Sequence, residues 1–311
     1  MDDIETWVVK EPYLVLNSPL LEGPFYNADR DELRFVDIYA EKVFVLNMSK
    51  GPETLREFST KDNTIGVTAD IEGSDDLIYA GAKHGFATLN RKTGELSYFR
   101  KLFNEETAHK IEHRMRANDG AVDCRGRIFQ GFMFDDRLSD PTEDGVLLRL
   151  DPDGSLHRVV ENVITPNGLG WNRDNTVMFW AESRSGNVYA FDYDANTGNI
   201  RNQRVFFHLD GANNVNVPDG LVVDEEDNIW LAVWGGCAVL RISPDGKVTG
   251  KIELPTRFVT CPVFVGTELF ITTAMEVEPD KYPESASYAG NIYRVDVGVK
   301  GLPRYKVPMP A

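Results

Sequence analysis

Short apolar runs separated by polar turns recur along the whole chain. Leu221-Val222-Val223 and Ile229-Trp230-Leu231-Ala232-Val233 flank Glu225-Glu226-Asp227-Asn228, which predicts a tight hairpin between two buried strands. Asn118-Asp119-Gly120-Ala121-Val122 precedes Arg127-Ile128-Phe129-Gln130, and Asn167-Gly168-Leu169 precedes Val177-Met178-Phe179-Trp180. Further copies begin at Leu21-Glu22-Gly23, Ile65-Gly66-Val67 and Thr260-Cys261-Pro262. The starts fall near positions 22, 65, 119, 167, 219 and 261, a period of roughly 40 to 55 residues, the length of a four-stranded propeller blade. Turns between third and fourth strands agree: Arg91-Lys92-Thr93-Gly94, Asp151-Pro152-Asp153-Gly154, Ala195-Asn196-Thr197-Gly198 and Ser243-Pro244-Asp245-Gly246 all carry turn chemistry.

The pattern predicts an all-β fold: one domain over residues 1–311, a six-bladed β-propeller with four-stranded antiparallel blades. Tyr13 to Asn17, with Thr6 to Val9 before it, is expected to complete the last blade and close the ring. Two stacked β-sandwiches are the competing architecture, but they need no phrase repeated along the whole chain. Two segments depart from the pattern. Residues 104–115 have helical composition after Asn104, a good N-cap. Met275 to Tyr288 is acidic and contains proline, and reads as a surface loop.

Composition narrows the function. Forty-nine acidic residues face 33 basic ones, a formal net charge of −16. That balance argues against a surface built for nucleic-acid phosphates or anionic lipids. The three cysteines, Cys124, Cys237 and Cys261, form no CxxC pair, so neither a disulfide framework nor a thiolate zinc site is expected. No apolar run approaches a membrane span of about 18 residues. The acidic start Met1-Asp2-Asp3-Ile4-Glu5 leads into no apolar leader, which makes the cytoplasm the expected compartment.

In a propeller the starts of the innermost strands gather at one end of the central channel. Those positions hold Glu22, Ile65, Asn118 with Asp119, Asn167, Asp219, and Thr260 with Cys261. Carboxylate and amide oxygens without thiolate or imidazole suit a hard divalent cation. The competing reading is that Asn-Gly and Asp-Gly are ordinary turn dipeptides.

Leu21-Glu22-Gly23-Pro24, Arg116-Ala117-Asn118-Asp119-Gly120 with Asp123 and Gly126-Arg127, Asn167-Gly168-Leu169 with Trp171, Ala190-Phe191-Asp192-Tyr193-Asp194, and Pro218-Asp219-Gly220 with Asp224 stand in order along nearly the whole chain. The set resembles the senescence marker protein-30 / gluconolactonase / luciferin-regenerating enzyme family. The resemblance implies a propeller with one divalent cation (calcium, zinc, magnesium or manganese) that hydrolyses lactones of sugar acids. Glu22, Asn167 and Asp219 would be metal ligands, and Asp219 also the base. Arg116 and Asn118 would hold substrate oxygens. A further acidic, substrate-touching position falls at Asp136, within Phe132-Met133-Phe134-Asp135-Asp136, which departs from the family's usual pattern. The insert ending at Arg114-Met115 is longer than usual and is expected at the rim.

Two other functions compete: a broader arylesterase or phosphotriesterase-like hydrolase, and a binding propeller with a purely structural metal. Arg116 and Asn118 beside the metal residues favour the lactonase, since a structural ion needs no such neighbours. His109-Lys110-Ile111-Glu112-His113 matches an H-x-x-E-H zinc motif, but the chain offers no second helix to complete that site. His84, His157 and His208 read as satisfied or surface imidazoles, with the channel mouth as the alternative for His84. Trp171, Trp180, Trp230 and Trp234 are spaced as blade core, with Trp180 and Trp234 as candidate pocket walls. Neither a G-x-S-x-G elbow nor a phosphate loop is present.

Overall fold

The computed structural model describes residues 4–61, 63–102, 114–138, 140–211 and 215–309. Six sheets form a six-bladed β-propeller, and each blade runs outward from an innermost strand. Those innermost strands are Leu21–Asn27, Ile65–Asp70, Met115–Val122, Pro166–Trp171, Val217–Val223 and Val259–Val265. Each packs beside the next, and the sixth packs back on the first.

Burial explains the layering. Val217–Val223 is buried at every position, whereas the outermost strand of blade four, Asn199–His208, is largely exposed. Apolar clusters fill the spaces between blades. Phe129, Leu147, Trp171, Trp180, Phe191 and Tyr193 form one of them, joining blades three and four. Each large side chain so buried contributes on the order of 1.5–3 kcal/mol. Trp180 and Trp230 are both fully buried, so Trp180 is blade core and not a pocket wall.

The N-terminal segment divides its role. Among the described residues the sixth blade has three strands, and Leu14 bridges antiparallel to Ile292 on its outer edge. This is the expected closure. The run at Thr6 to Val9 goes elsewhere: Glu5–Val8 pairs parallel with Val248–Glu253 and makes a fifth strand on blade five. Trp7 explains the choice, since its ring lies 5.4 Å from that of Trp230.

The segment expected as a loop over Met275 to Tyr288 ends in a short α-helix, Pro283–Tyr288. The expected helical insert at 104–115 lies mostly outside the described residues, as does the His109–His113 motif. Its described end, Met115, already belongs to the innermost strand of blade three. The C-terminal segment crosses the end of the propeller opposite Glu22. Gly301 bridges to Asp224 in blade five and Val307 to Ile71 in blade two.

All six innermost strands share one irregularity. Their register with the second strand breaks between Glu22 and Phe25, Ile65 and Val67, Ala117 and Gly120, Pro166 and Leu169, Pro218 and Leu221, and Val259 and Pro262. These are β-bulges, which bend a strand and re-aim its side chains. Asn118-Asp119-Gly120, Asn167-Gly168 and Asp219-Gly220 are therefore strand bulges and not turns. Their glycines let neighbouring backbones close in. A Cβ on Gly168 would sit 2.3 Å from the amide nitrogen of Leu221, and one on Gly66 2.0 Å from the carbonyl oxygen of Asn118.

Candidate active site

The bulges collect buried polar side chains at one end of the channel. Glu22, Arg116, Asn118, Asp119, Asn167 and Asp219 are all buried. Glu22 and Asp219 share this space, with Asp119 near enough for its charge to act on both. Burial pushes the Glu22 carboxyl well above the ordinary range, and the charges of Asp219 and Asp119 add to the effect. Asp219 is raised in the same way, by burial and then by Asp119, against opposing help from Asn167, Arg116 and the Gly220 N–H. Burial brings Asp119 up to about 6, while the Gly120 N–H and Arg304 oppose the rise. Glu22 and Asp219, from blades one and five, thus lie within mutual electrostatic reach. The Asn167 side chain lies near enough to Asp219 to lower its pKa.

Asn167 carries a further sign. Its Nδ2 donates to Ser183 Oγ at 3.1 Å, and Ser183 Oγ donates to the Pro218 carbonyl at 2.7 Å. Asn167 Oδ1 is buried with no hydrogen-bond partner among the described residues. A buried oxygen without a partner is costly, and so are buried carboxylates facing one another. One divalent cation taking oxygens of Glu22, Asn167 and Asp219 would relieve both costs, so the donor set fits a hard cation. Among the described residues no three His, Cys, Asp or Glu side chains form a ligating cluster. The set depends on an amide oxygen as its third donor.

Beside these oxygens runs a polar chain. Arg116 Nη1 donates to Asn118 Oδ1 at 2.7 Å and to the Ala117 carbonyl at 3.2 Å. Its Nη2 meets Asp136 Oδ1 at 3.2 Å. Asn118 Nδ2 donates to the Pro166 carbonyl at 2.9 Å. Burial works against the Arg116 charge, but Asp136, Tyr39 and Asp135 together raise its pKa. Asp136 thus stands next to Arg116, at the end of the second strand of blade three. Asp135, its neighbour, is buried and turned to Arg137 at 2.7 Å.

Two participants carried no signal in the sequence. Tyr39, in the turn after the second strand of blade one, donates its hydroxyl to Asp136 Oδ2 at 2.6 Å. Ser183 holds Asn167 from the far end of a neighbouring strand. His84 lies in the turn after the second strand of blade two, with its ring 5.7 Å from that of Tyr98. Trp234 packs against Phe258 at 4.5 Å.

A cavity of about 590 Å³ lies on the other side of the bulges, lined in part by Asp119, Trp171, Cys261, Lys300 and Arg304. Arg304 keeps accessible surface, although the surrounding protein lowers the pKa of its guanidinium. A position inside a wide channel accounts for both. Burial, then Asp119, Glu22 and Asp219, push the Cys261 thiol well up, with Arg304 opposing.

Comparison with known proteins gives one consistent picture. A family model described as the SMP-30/Gluconolactonase/LRE-like region matches residues 20–275. A regucalcin of Danio rerio is 31% identical, with 91% of this chain and 93% of that protein covered. A pentonolactonase, XacC, of Haloferax volcanii is 30% identical over 92% of this chain and 93% of its own. The solved structure of a luciferin-regenerating enzyme superposes with a TM-score of 0.83 at 27% identity, covering 94% of this chain and 96% of the other.

Proposed function

This chain belongs to the SMP-30/gluconolactonase/LRE-like family, and we propose that it is a lactonase that opens a sugar-acid lactone to the aldonic acid with the help of one divalent cation. The observation that carries the reading is the buried convergence of Glu22 and Asp219 with the partnerless Asn167 Oδ1, next to the Arg116–Asn118 pair. A relative that bears the name pentonolactonase supports the substrate class.

Glu22, Asn167 and Asp219 would hold the cation. Bound there, it would polarise the lactone carbonyl and stabilise the developing oxyanion. Asp219 takes a proton from the attacking water as the water oxygen bonds to the carbonyl carbon. The ring C–O bond then breaks, and that proton returns to the ring oxygen, leaving a hydroxyl and a carboxylic acid, which gives up the second water-derived proton to solvent as it becomes the carboxylate. Arg116 orients substrate oxygens and favours the carboxylate that forms. Asn118, locked between Arg116 and the Pro166 carbonyl, gives that arrangement a fixed geometry.

The experiment follows proton release from gluconolactone and a pentonolactone, using chelated protein and protein restored with calcium, zinc, magnesium or manganese. Hydrolysis that returns with a cation and falls about 10²–10⁴-fold in Asp219→Asn is expected. No proton release with any lactone, whichever ion is supplied, would sink the reading.

A further inference from the structure

We infer that the cavity at the end of the channel opposite Glu22 is a second ligand site, which takes a small organic monocarboxylate: the apolar body lies against the channel wall and the carboxylate pairs with Arg304. The site is separate from the proposed lactone-opening centre and does not depend on that reading.

The segment from Gly301 to Val307 crosses the channel with both ends fixed. Leu302 donates its amide to the Val223 carbonyl at 3.0 Å, and Val307 donates to the Asp70 carbonyl at 2.8 Å. Arg304 stands between these anchors and lines the cavity of about 590 Å³ together with Asp119 and Cys261. Those two residues belong to blades three and six, which face each other across the ring. Burial lowers the pKa of the Arg304 guanidinium, and Cys261 and Asp119 oppose that, so the group lies between opposite blades, near the axis. Glu22, Arg116, Asn118, Asn167 and Asp219 are not among the walls of this cavity.

Charge pairing sets Arg304 apart. The buried arginines Arg34, Arg116, Arg127 and Arg149 each meet a carboxylate, at 3.2, 3.2, 2.9 and 2.7 Å. Arg304 makes no ion pair or hydrogen bond with the described residues, although its guanidinium is set deep in the channel. A cation so placed without a counter-charge is costly, and a planar guanidinium fork matches a carboxylate through two parallel hydrogen bonds. Phe25, Val67, Trp171, Phe264 and Leu302 supply apolar wall beside it. The volume suits a small organic molecule and exceeds what an inorganic anion needs. Asp119 on the same wall repels a second negative charge, which favours a monoanion.

Calorimetric titration of the chelated full chain tests this with three probes. Benzoate carries ring and charge, benzyl alcohol the ring alone, and inorganic phosphate the charge alone; chelation keeps a metal ion from holding the carboxylate. Benzoate should bind in the millimolar range or tighter, with benzyl alcohol and phosphate each at least about tenfold weaker. Arg304→Gln should weaken benzoate at least about tenfold, while Arg116→Gln, at the other end of the channel, should leave it within about twofold. Thermal unfolding checks both variants. The comparison among probes uses wild type alone, so it decides the matter even if Arg304→Gln does not fold. Absent benzoate binding, benzyl alcohol or phosphate binding as tightly as benzoate, or binding lost in Arg116→Gln and kept in Arg304→Gln, each overturns the inference. Proton release from lactones decides the lactonase reading separately.

Discussion

The Asn118 side-chain amide donates to the carbonyl oxygen of Pro166 at 2.9 Å, which ties blade three to the residue preceding Asn167. On the proposed reading, the substrate-contacting and metal-ligating positions are thereby set by one rigid link. Asn118→Ala would remove the side-chain donor from that carbonyl and leave Arg116 Nη1 with the Ala117 carbonyl alone. The expected cost is about 1–3 kcal/mol of stability, with lactone hydrolysis falling at least about tenfold. Thermal unfolding and lactone titration on the same preparation check both.

Stability in the absence of metal should depend on pH in an unusual direction. Asp119 is raised from 3.8 to about 6, and Glu22 and Asp219 are raised as well. A carboxyl raised on folding stabilises the protein below its unfolded value and loses that contribution as pH rises through the folded one. Chelated protein should therefore lose on the order of 1–3 kcal/mol between about pH 4 and the raised range. An added divalent cation should flatten the loss. Unfolding curves from pH 4 to 8, with and without chelator, would show an equal slope in both if the carboxylates do not share an ion.

Gly168→Ala tests the tightness of the ring. The added methyl would meet the Leu221 amide nitrogen at 2.3 Å and the Asp219 carbonyl at 2.8 Å. Both are backbone atoms, which cannot rotate away. A loss of about 3 kcal/mol or more is expected, together with a weakened metal affinity read by calorimetry.

Asp224 separates structure from chemistry. It is fully buried in the turn away from the candidate site. It accepts from the amides of Glu226 and Asn228, both at 2.9 Å, and from Trp230 Nε1, also at 2.9 Å. Asp224→Ala should cost about 2–4 kcal/mol, while the KM of the surviving folded protein stays within twofold. A large change in KM at unchanged stability would contradict that assignment.

The blade count was legible because each innermost strand repeats one phrase, and Glu22, Asn167 and Asp219 were legible because each opens such a phrase. The same similarity drew in Asp123 and Asp224, which hold turns: Asp123 Oδ1 accepts from the amides of Arg125 and Arg127. Tyr39 escaped because it reaches Asp136 through the meeting of two turns, and no periodicity records such a meeting. Thr6 to Val9 was assigned to the wrong blade because a short edge strand can add to either of two edges. Trp7 on Trp230 decided the matter. The helix Pro283–Tyr288 is too short for a 3.6-residue pattern to show.

The C-terminal strap from Gly301 to Val307 spans blades five and two beneath the channel. It ties together two blades that are not neighbours in the ring, so those blades cannot part without first detaching the strap.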